Sequence, residues 1–433
     1  MMKPITIKFV KRSAAIMATL FLINGLGSMA HAKNEDLENA GDILQFLIPA
    51  AGLAGTYVAD DPEGRIQFWE TYLSAIAIST TAKFVYGKMR PNSTSETSFP
   101  SGHTTSAFAG AGFIQQRYGW LWGSMAYALA GLTAYSRIDA DAHFVDDVLA
   151  GASNGLFNAW YWTSPFKSSV MLLPLTTDSG IGVSLVVQDP RYIEEEEIAS
   201  GKRRPRFGYT LKWGAAFMGE NDIKAPSDFG TTFDLADFNK DDDPLTTAAG
   251  IFDWYIGRQH TLSLGFWPLE SRDTGSFQEP TNFTGIVFPA GAPLQSTWRH
   301  YQGWANYAYE LFPESDWMVK LGAGLTYQYT TLKIEDQIDG LSGKVQDSVF
   351  LPLLHLHLGY RITDRWTIEA FGNGIYLKDD KYIDAALETG YMLGEHWRGA
   401  IGVGFYGRDI ETSKLLERFE YTTAYLSLTY LFF

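Results

Sequence analysis

The chain of 433 residues contains no cysteine, and this absence removes several classes of chemistry at once. Without thiols there are no disulfide bonds, no thiolate metal sites and no mechanisms with a cysteine nucleophile. Basic residues are also scarce, since 34 lysines and arginines stand against 49 aspartates and glutamates. The resulting formal net charge of −15 argues against nucleic-acid partners, whose phosphates bind basic surfaces.

The first 32 residues have the pattern of an export signal. Four basic residues precede a mostly apolar stretch at 13–28, and Ala30 and Ala32 have the spacing of a cleavage site. We therefore expect the mature chain to begin near Lys33, which changes the formal charge from −15 to −19. An uncleaved anchor is the alternative, although the apolar stretch is short and interrupted by glycine.

Residues 33–165 are predicted to form an α-helical bundle. Apolar residues recur there at helical spacing, as at Phe68, Tyr72 and Ile76. Charged and amide residues interrupt most of these helices, so they lack the long uncharged run of a membrane span. Only 118–136 stays uncharged for long enough, and we interpret that segment as a buried core helix.

From about residue 179 the periodicity changes to two, and short turns alternate with long polar stretches such as 224–243 and 334–348. This pattern predicts an antiparallel transmembrane β-barrel of about twelve strands at 179–433, joined to the bundle by a linker at 166–178. The alternating segments are 207–217, 261–267, 317–330, 350–360, 366–376, 397–406 and 421–433. The alternative is a soluble all-β domain.

Aromatic residues favour the barrel over the soluble domain. Six tryptophans near predicted strand ends fit the two interfacial girdles of a membrane barrel, namely Trp254, Trp298, Trp304, Trp317, Trp366 and Trp397. The last strand ends on Phe433, and an aromatic final residue of this kind resembles outer-membrane barrels, in which it acts as an assembly signal. These features predict an outer-membrane location.

Three polar clusters in the helical half predict a phosphate site. They are Lys83 with Arg90 and Pro91, then Pro100-Ser101-Gly102-His103, then Ser136-Arg137 with His143 and Asp147. Lys83 and Arg90 are seven residues apart, so a helix that ends before Pro91 would place both cations on one side. Ser101 is the predicted N-cap of the next helix, whose free N–H groups at Gly102 and His103 can hold an anion.

The third cluster supplies a nucleophile. His143 and Asp147 are separated by one helical turn and are predicted to share a helix face, so the carboxylate can accept the Nδ1 proton and leave Nε2 free to attack phosphorus. His103 would protonate the leaving oxygen, while Lys83, Arg90 and Arg137 would neutralise the phosphoryl oxygens. Phosphoryl transfer mainly requires positioning and charge stabilisation, so we expect no metal and no cofactor. Asp146 is an alternative partner of His143.

The three clusters resemble those of the type 2 phosphatidic acid phosphatase superfamily, which includes lipid phosphate phosphatases, class A acid phosphatases and vanadium haloperoxidases. The resemblance covers about residues 40–165. It implies that Lys83, Arg90, Ser101, Gly102, His103 and Arg137 bind the phosphoryl group. It further implies that His103 is the acid and that His143 is a nucleophile oriented by Asp147.

The expected function is therefore hydrolysis of phosphate or diphosphate esters through a phosphohistidine, in the periplasm beneath an outer-membrane barrel. The expected partners are a phosphorylated membrane lipid, such as phosphatidate, phosphatidylglycerophosphate, undecaprenyl diphosphate or a lipid A species, and the outer-membrane lipid itself. Three alternatives remain: a tethered acid phosphatase for soluble esters, a haloperoxidase with vanadate as its cofactor, and a structural or pore-forming barrel with an inert bundle.

Overall fold

The computed structural model describes residues 34–166, 171–177, 180–186, 204–235, 244–377 and 380–433. The chain divides into two compact units at the boundary between Lys202 and Arg203. The predicted signal segment at 1–32 lies outside the described residues. The domain limits drawn from the sequence stay a prediction, although a strand at Met171–Thr177 lies inside the segment predicted as linker.

The first unit contains five described helices, as the helical periodicity predicted. They are α1 (Glu35–Val58), α2 (Pro62–Tyr86), α3 (Gly102–Tyr118), α4 (Trp120–Asp139) and α5 (Val145–Trp162). Their shared core is small, and it is centred on Leu44, Phe68 and Phe113. Among the described helices, none combines the length and the apolar character needed to cross a membrane.

A buried ion pair ties the start of α2 to the end of α3. Arg117 donates from Nε to Oδ2 of Asp61 at 2.7 Å and from Nη2 to Oδ1 at 2.5 Å. Asp61 also caps α2, because its Oδ1 accepts from the backbone N–H of Gly64 at 2.9 Å. Both partners are almost fully buried, so removal of either one would strand an uncompensated charge in the bundle.

Helix α4 corrects the interpretation of segment 118–136 as a buried core helix. Its small residues, including Ala126, Ala130 and Ala134, are buried against the bundle. Its opposite side exposes large apolar residues, with Trp122 at 59% and Met125 at 60%. The absence of charge in this segment therefore reflects two apolar sides, of which the core covers one.

The second unit is a closed antiparallel barrel. Ten strands form a continuous ring, closed by pairing of the last strand with the first. In chain order they are β3 (Phe207–Lys224), β5 (Leu245–Ile256), β6 (His260–Gly275), β9 (Leu294–Glu310), β10 (Trp317–Asp336), β11 (Ser342–Arg361), β12 (Trp366–Leu377), β13 (Asp380–Met392), β14 (Trp397–Glu411) and β15 (Leu416–Phe432).

The prediction of twelve barrel strands is wrong, because five described strands pair outside the ring. β1 (Met171–Thr177) pairs with β2 (Gly180–Val186), and β7 (Thr281–Phe283) pairs with β8 (Ile286–Phe288). The short β4 (Phe233–Asp234) adds to one edge of β3. Membership of the ring depends on long-range pairing, which the periodicity of a segment does not record.

One predicted long loop is also wrong. β10 continues to Asp336 and β11 begins at Ser342, so most of the stretch 334–348 is paired strand. The other predicted loop, 224–243, is described as far as residue 235, and its remaining residues lie outside the described part of the chain. Polar composition did not identify a loop here, because polar residues such as Lys344 and Gln346 alternate with the buried Gly343 and Val345 in a paired strand.

The side chains of the ring alternate between apolar residues outside and polar residues inside. Exposed positions on the outer surface include Leu321, Leu325, Leu354, Leu356, Ile401, Val403 and Leu426. Inside, Arg398 bonds Glu369 and Glu388, and Arg408 forms a fully buried pair with Glu417 at 2.6 Å. The barrel is therefore apolar where a soluble protein would be polar.

The tryptophans divide into two groups. Trp317, Trp366 and Trp397 begin three strands at the short-turn rim, where each contacts a tyrosine of the neighbouring strand. Trp254 lies at the same rim against Phe207. Trp298 and Trp304 do not belong to a girdle, because Trp298 is only 1% exposed and Trp304 packs against the same interior cluster.

Candidate active site

The carboxylate of Asp147 lies at the centre of the site. It is fully buried near the start of α5, and its Oδ2 accepts from Phe144 N at 2.8 Å and from Ser98 Oγ. Its Oδ1 accepts from Lys88 Nζ at 2.9 Å. Burial alone would raise the pKa of Asp147, but the charge of Lys88 and the hydrogen bonds hold it far below its usual range. Asp147 is therefore a permanent anion.

His143 lies beside this anion, although not on the same helix. α5 begins at Val145 with Phe144 as its N-cap, so the prediction that His143 and Asp147 share a helical face is wrong. The capping turn nevertheless brings His143 Nδ1 to 3.6 Å from Asp147 Oδ2, a gap that a small movement would close to a hydrogen bond.

The environment of His143 favours a neutral ring. Its side chain is 1% exposed, and this burial lowers its pKa. Asp147 opposes the shift, while the charges of Lys83 and Arg90 add to it. The net lowering of the pKa keeps His143 unprotonated near neutral pH, which is the state that a nucleophile needs.

The two cations of the first cluster lie in different secondary-structure elements. α2 ends at Tyr86, and Gly87 follows in the left-handed conformation with φ at 55°. The prediction that one helix continues to Pro91 is therefore wrong, because this glycine stops it a full turn earlier. Lys83 lies in the last turn of α2, and Arg90 lies in the loop behind it.

The charges of Lys83 and Arg90 both act on His143. Lys83 Nζ donates to the carbonyl oxygens of Thr97 and Pro100, each at 2.6 Å. Arg90 Nε is buried and has no hydrogen-bond partner among the residues that the structure describes. Burial, followed by the charge of Arg90, lowers the pKa of Lys83 to about 8, with Asp147 opposing the shift. A buried donor without a partner, next to a lysine whose charge is disfavoured by burial and by a second cation, suits the binding of an anion.

The start of α3 supplies backbone donors, as predicted. Ser101 is the N-cap, and its Oγ accepts from Thr104 N at 3.4 Å. Its own N–H donates to the carbonyl of Asp147 at 2.9 Å, which joins α3 to α5. An added Cβ on Gly102 would lie 3.8 Å from Lys83 Cε, so this helix start adjoins the cation. Helix starts hold anions through their free N–H groups.

Arg137 and His103 meet on a residue that the sequence analysis missed. Arg137 Nη1 donates to Asp42 Oδ1 at 2.7 Å, and His103 Nε2 lies 3.0 Å from the same oxygen. Burial and the charge of Arg137 lower the pKa of His103 to about 4, with Asp42 opposing the shift and His143 adding to it. The acid therefore depends on nearby negative charge for its proton.

Lys88 is the second residue that the sequence analysis missed. Its Nζ contacts Asp146 at 2.8 Å and Asp147 at 2.9 Å, and it lies 4.4 Å from the ring centre of Phe144. Asp146, the alternative partner of His143, thus pairs with Lys88. Lys88 lies between Lys83 and Arg90 in the first cluster, so that cluster contained a signal for it, whereas nothing in the sequence marked Asp42.

All eight predicted residues therefore lie in one region of the first unit. The arrangement offers a neutral imidazole beside a carboxylate, a second histidine, three cations and a helix start, which together suit phosphoryl transfer. The individual roles remain a prediction, since distances alone assign none of them.

Comparison with known proteins places this site in a family. The family model of the PAP2 superfamily matches residues 66–169. The lipid A 1-phosphatase of Porphyromonas gingivalis is 36% identical over 115 residues, which cover 24% of this chain and 26% of that protein. The lipid A 4'-phosphatase of Helicobacter pylori is 30% identical over 156 residues, which cover 32% of this chain and 74% of that protein. The chain belongs to the PAP2 superfamily.

Solved structures are similar to parts of the chain. The outer membrane protease OmpT from Escherichia coli is 11% identical, with a TM-score of 0.35, over 52% of this chain and 96% of that one. LpxE from Aquifex aeolicus is 22% identical, with a TM-score of 0.27, over 30% of this chain and 87% of that one.

The pKa of Lys83 predicts a pH-dependent affinity. A cation with a pKa of about 8 loses its charge as the pH rises through that value, so phosphate affinity should fall on the alkaline side. We expect the KM of the wild-type protein to rise above about pH 8 and that of Lys83→Arg to stay nearly constant, because an arginine remains charged there. Steady-state kinetics between about pH 7 and pH 9 measure this difference. A flat wild-type KM would contradict it.

Proposed function

We propose that this member of the PAP2 superfamily hydrolyses phosphate esters of membrane lipids through a phosphohistidine on His143. One observation carries the proposal: His143 is buried between the carboxylate of Asp147 and the cations Lys83 and Arg90. A nucleophile held neutral within reach of a cationic pocket suits attack on a phosphate group, which brings its own negative charge.

The first chemical step joins phosphorus to His143. Nε2 attacks while Nδ1 donates its proton to Asp147 in a hydrogen bond, which stabilises the imidazolium that forms. The bond from phosphorus to the leaving oxygen breaks, and His103 gives that oxygen a proton. Lys83, Arg90 and Arg137, together with the N–H groups at the start of α3, stabilise the charge on the equatorial oxygens.

The second step returns the enzyme to its starting state. Water attacks the phosphorus, His103 takes the proton from that water, and the phosphorus–nitrogen bond to His143 breaks. Inorganic phosphate leaves, with both histidines restored. Because charge stabilisation and positioning carry the reaction, the residues in the pocket can perform it without further groups.

The covalent intermediate gives a direct test. Rapid quenching of the wild-type protein with labelled substrate should trap an acid-labile phosphate on His143, which peptide mass spectrometry would locate. His143→Ala should lose the label and about 10³-fold or more of kcat. Asp36→Asn, an exposed change in the first turn of α1, is the matched control and should behave as wild type. Label on any other residue would refute the mechanism.

A lipid substrate is favoured by the surface next to the site. On α1, Asp42 is followed by three exposed apolar residues, with Ile43 at 63%, Phe46 at 64% and Leu47 at 55%. Asp42 and Phe46 are one helical turn apart, so the apolar surface begins at the site itself. Acyl chains would cover such a surface, whereas a soluble ester would leave it exposed to water. The named activities of the two bacterial relatives favour a phosphorylated glucosamine lipid.

Substrate comparison separates lipid from soluble esters. We expect purified protein to release phosphate from lipid A in mixed micelles with a much higher kcat/KM than from a short soluble ester. Phe46→Ser should raise KM for the lipid and leave the soluble ester unaffected. Val58→Ser, which changes an exposed apolar residue at the far end of α1, is the matched control. Equal kcat/KM for the two substrates would instead support a tethered acid phosphatase.

We further propose that the barrel lies in the outer membrane and that the helical unit lies in the periplasm. Apolar residues on the outside, a charged interior and tryptophan–tyrosine contacts at the short-turn rim together support this placement. Bacterial barrels of this kind usually carry their short turns on the periplasmic side. The lipid substrate and the catalytic unit would then occupy the same compartment.

Charge on the outer surface of the barrel tests this placement. Leu354→Arg changes a side chain that is 67% exposed on β11, and we expect it to weaken folding into phospholipid vesicles by about 2–4 kcal/mol. Gln346→Arg, an exposed position on the same face of β11 but near its start, should have little effect. Urea titration of vesicle-bound protein measures both. Equal stabilities of the two variants would contradict membrane burial of this surface.

A further inference from the structure

We infer that Asp42 is a positioning residue for the acid of the reaction: it holds Nε2 of His103, so that Nδ1 delivers the proton to the leaving group. The inference rests on the proposed function, because it concerns the same site. It adds a residue from α1, a helix that lies outside the segment matched by the family model.

The contacts of Asp42 place its carboxylate between two site residues. One oxygen, Oδ1, lies 3.0 Å from His103 Nε2 and 2.7 Å from Arg137 Nη1. The arginine also donates from Nη2 to the carbonyl of Glu38 at 2.7 Å, so α1 holds it at two points. A charge-assisted pair of this geometry fixes both partners more firmly than neutral hydrogen bonds do.

Close packing keeps α1 in this position. A Cβ added to Gly41 would lie 1.9 Å from Ser136 Oγ and 2.8 Å from Arg137 Nη2, so only glycine allows α1 to approach α4 this closely. On the other side, Ser106 of α3 donates to the carbonyl of Gln45 at 2.6 Å. Asp42 lies between these two contacts, so the packing of α1 holds it at the site.

The hydrogen bond decides which nitrogen of His103 can act. A ring nitrogen bonded to a carboxylate carries a proton, and the other nitrogen then gains or loses the second proton. With Nε2 donating to Asp42, the mobile proton of the imidazolium is the one on Nδ1. The site then has two histidine–carboxylate pairs, one for the nucleophile and one for the acid. The two carboxylates come from the first and the last helix of the bundle, with Asp42 on α1 and Asp147 on α5.

The positive charges around His103 make the carboxylate of Asp42 necessary for protonation of the ring. Arg137 faces the ring from α4 and His143 faces it from the loop before α5, and both disfavour the imidazolium, as does burial. Asp42 faces it from α1 and favours the imidazolium through its charge and its hydrogen bond. The bound phosphate adds negative charge to the same side. The imidazolium therefore forms in the complex, where it is needed.

The proton balance of the step is closed. As His143 Nε2 bonds to phosphorus and the phosphorus–oxygen bond breaks, the proton on His103 Nδ1 moves to the leaving oxygen. The ring is then neutral, with its remaining proton on Nε2 and still donated to Asp42. In hydrolysis, Nδ1 takes a proton from the attacking water. Asp42 itself remains an anion throughout and contacts neither the phosphate nor the leaving group in this scheme.

Asp42→Asn tests the inference by removing the charge while keeping the size of the side chain. For an alkyl or lipid phosphate, whose leaving oxygen needs a proton, kcat should fall about 10- to 100-fold. For p-nitrophenyl phosphate, whose leaving group is stable as an anion, the rate of phosphoenzyme formation, measured by rapid quenching, should change little. The alkaline limb of the kcat profile for the lipid should move to lower pH, because the imidazolium of His103 loses its negative partner.

A merely structural role predicts a different outcome. If Asp42 only supported the bundle or Arg137, both substrates would lose activity equally or would change in KM, and the pH profile would keep its shape; either result overturns the inference. In a His103→Ala background, Asp42→Asn should cause no further loss of kcat for the lipid. Asp36→Asn, on the same helix, should match wild type. A wild-type protein that releases no phosphate from any of these esters would instead refute the proposed function.

Discussion

The hydrogen bonds and the ion pair of the buried Asp147 carboxylate are the interactions on which the arrangement of the site in the first unit depends. It accepts from the N-cap of its own helix, from Ser98 and from Lys88, while its backbone carbonyl accepts from Ser101. These bonds join the start of α5, the loop after α2 and the start of α3 at one point. A buried anion is tolerated only when such partners surround it. The hydrogen bonds that stabilise this anion therefore also bring together the segments that form the site.

Charge balance then gives each histidine its own state. His143 is buried beside Asp147, and the cations around it keep the ring neutral and nucleophilic. His103 is partly buried and contacts Asp42, whose charge favours the imidazolium that we propose for the complex with phosphate. Two chemically identical side chains thereby have different electrostatic surroundings, which supports the different roles that we propose for them. The anionic carboxylates are held by a lysine in one case and by an arginine in the other.

Both units expose large apolar side chains on part of their surface. The helices bury small side chains and leave large apolar ones exposed beside the site. The barrel buries ion pairs such as Arg408 with Glu417 and turns leucine, isoleucine and valine outward. In both units the exposed apolar area is larger than water around the protein would favour. A lipid environment accounts for both surfaces by the same physical reasoning, which is why a lipid substrate and a membrane barrel form one consistent proposal.

The sequence by itself determined the local features: the two periodicities, the N-cap at Ser101 and the chemical types gathered in three clusters. It misplaced Arg90 and His143 on helices, because Gly87 and the capping turn before Val145 end those helices earlier than spacing alone suggests. Tertiary structure alone decided which strands close the ring, how Lys88 pairs with Asp147, and that Asp42 reaches His103 across 61 positions of the chain. Periodicity records how each side chain relates to its neighbours in sequence, whereas these contacts depend on packing between segments that are distant in it.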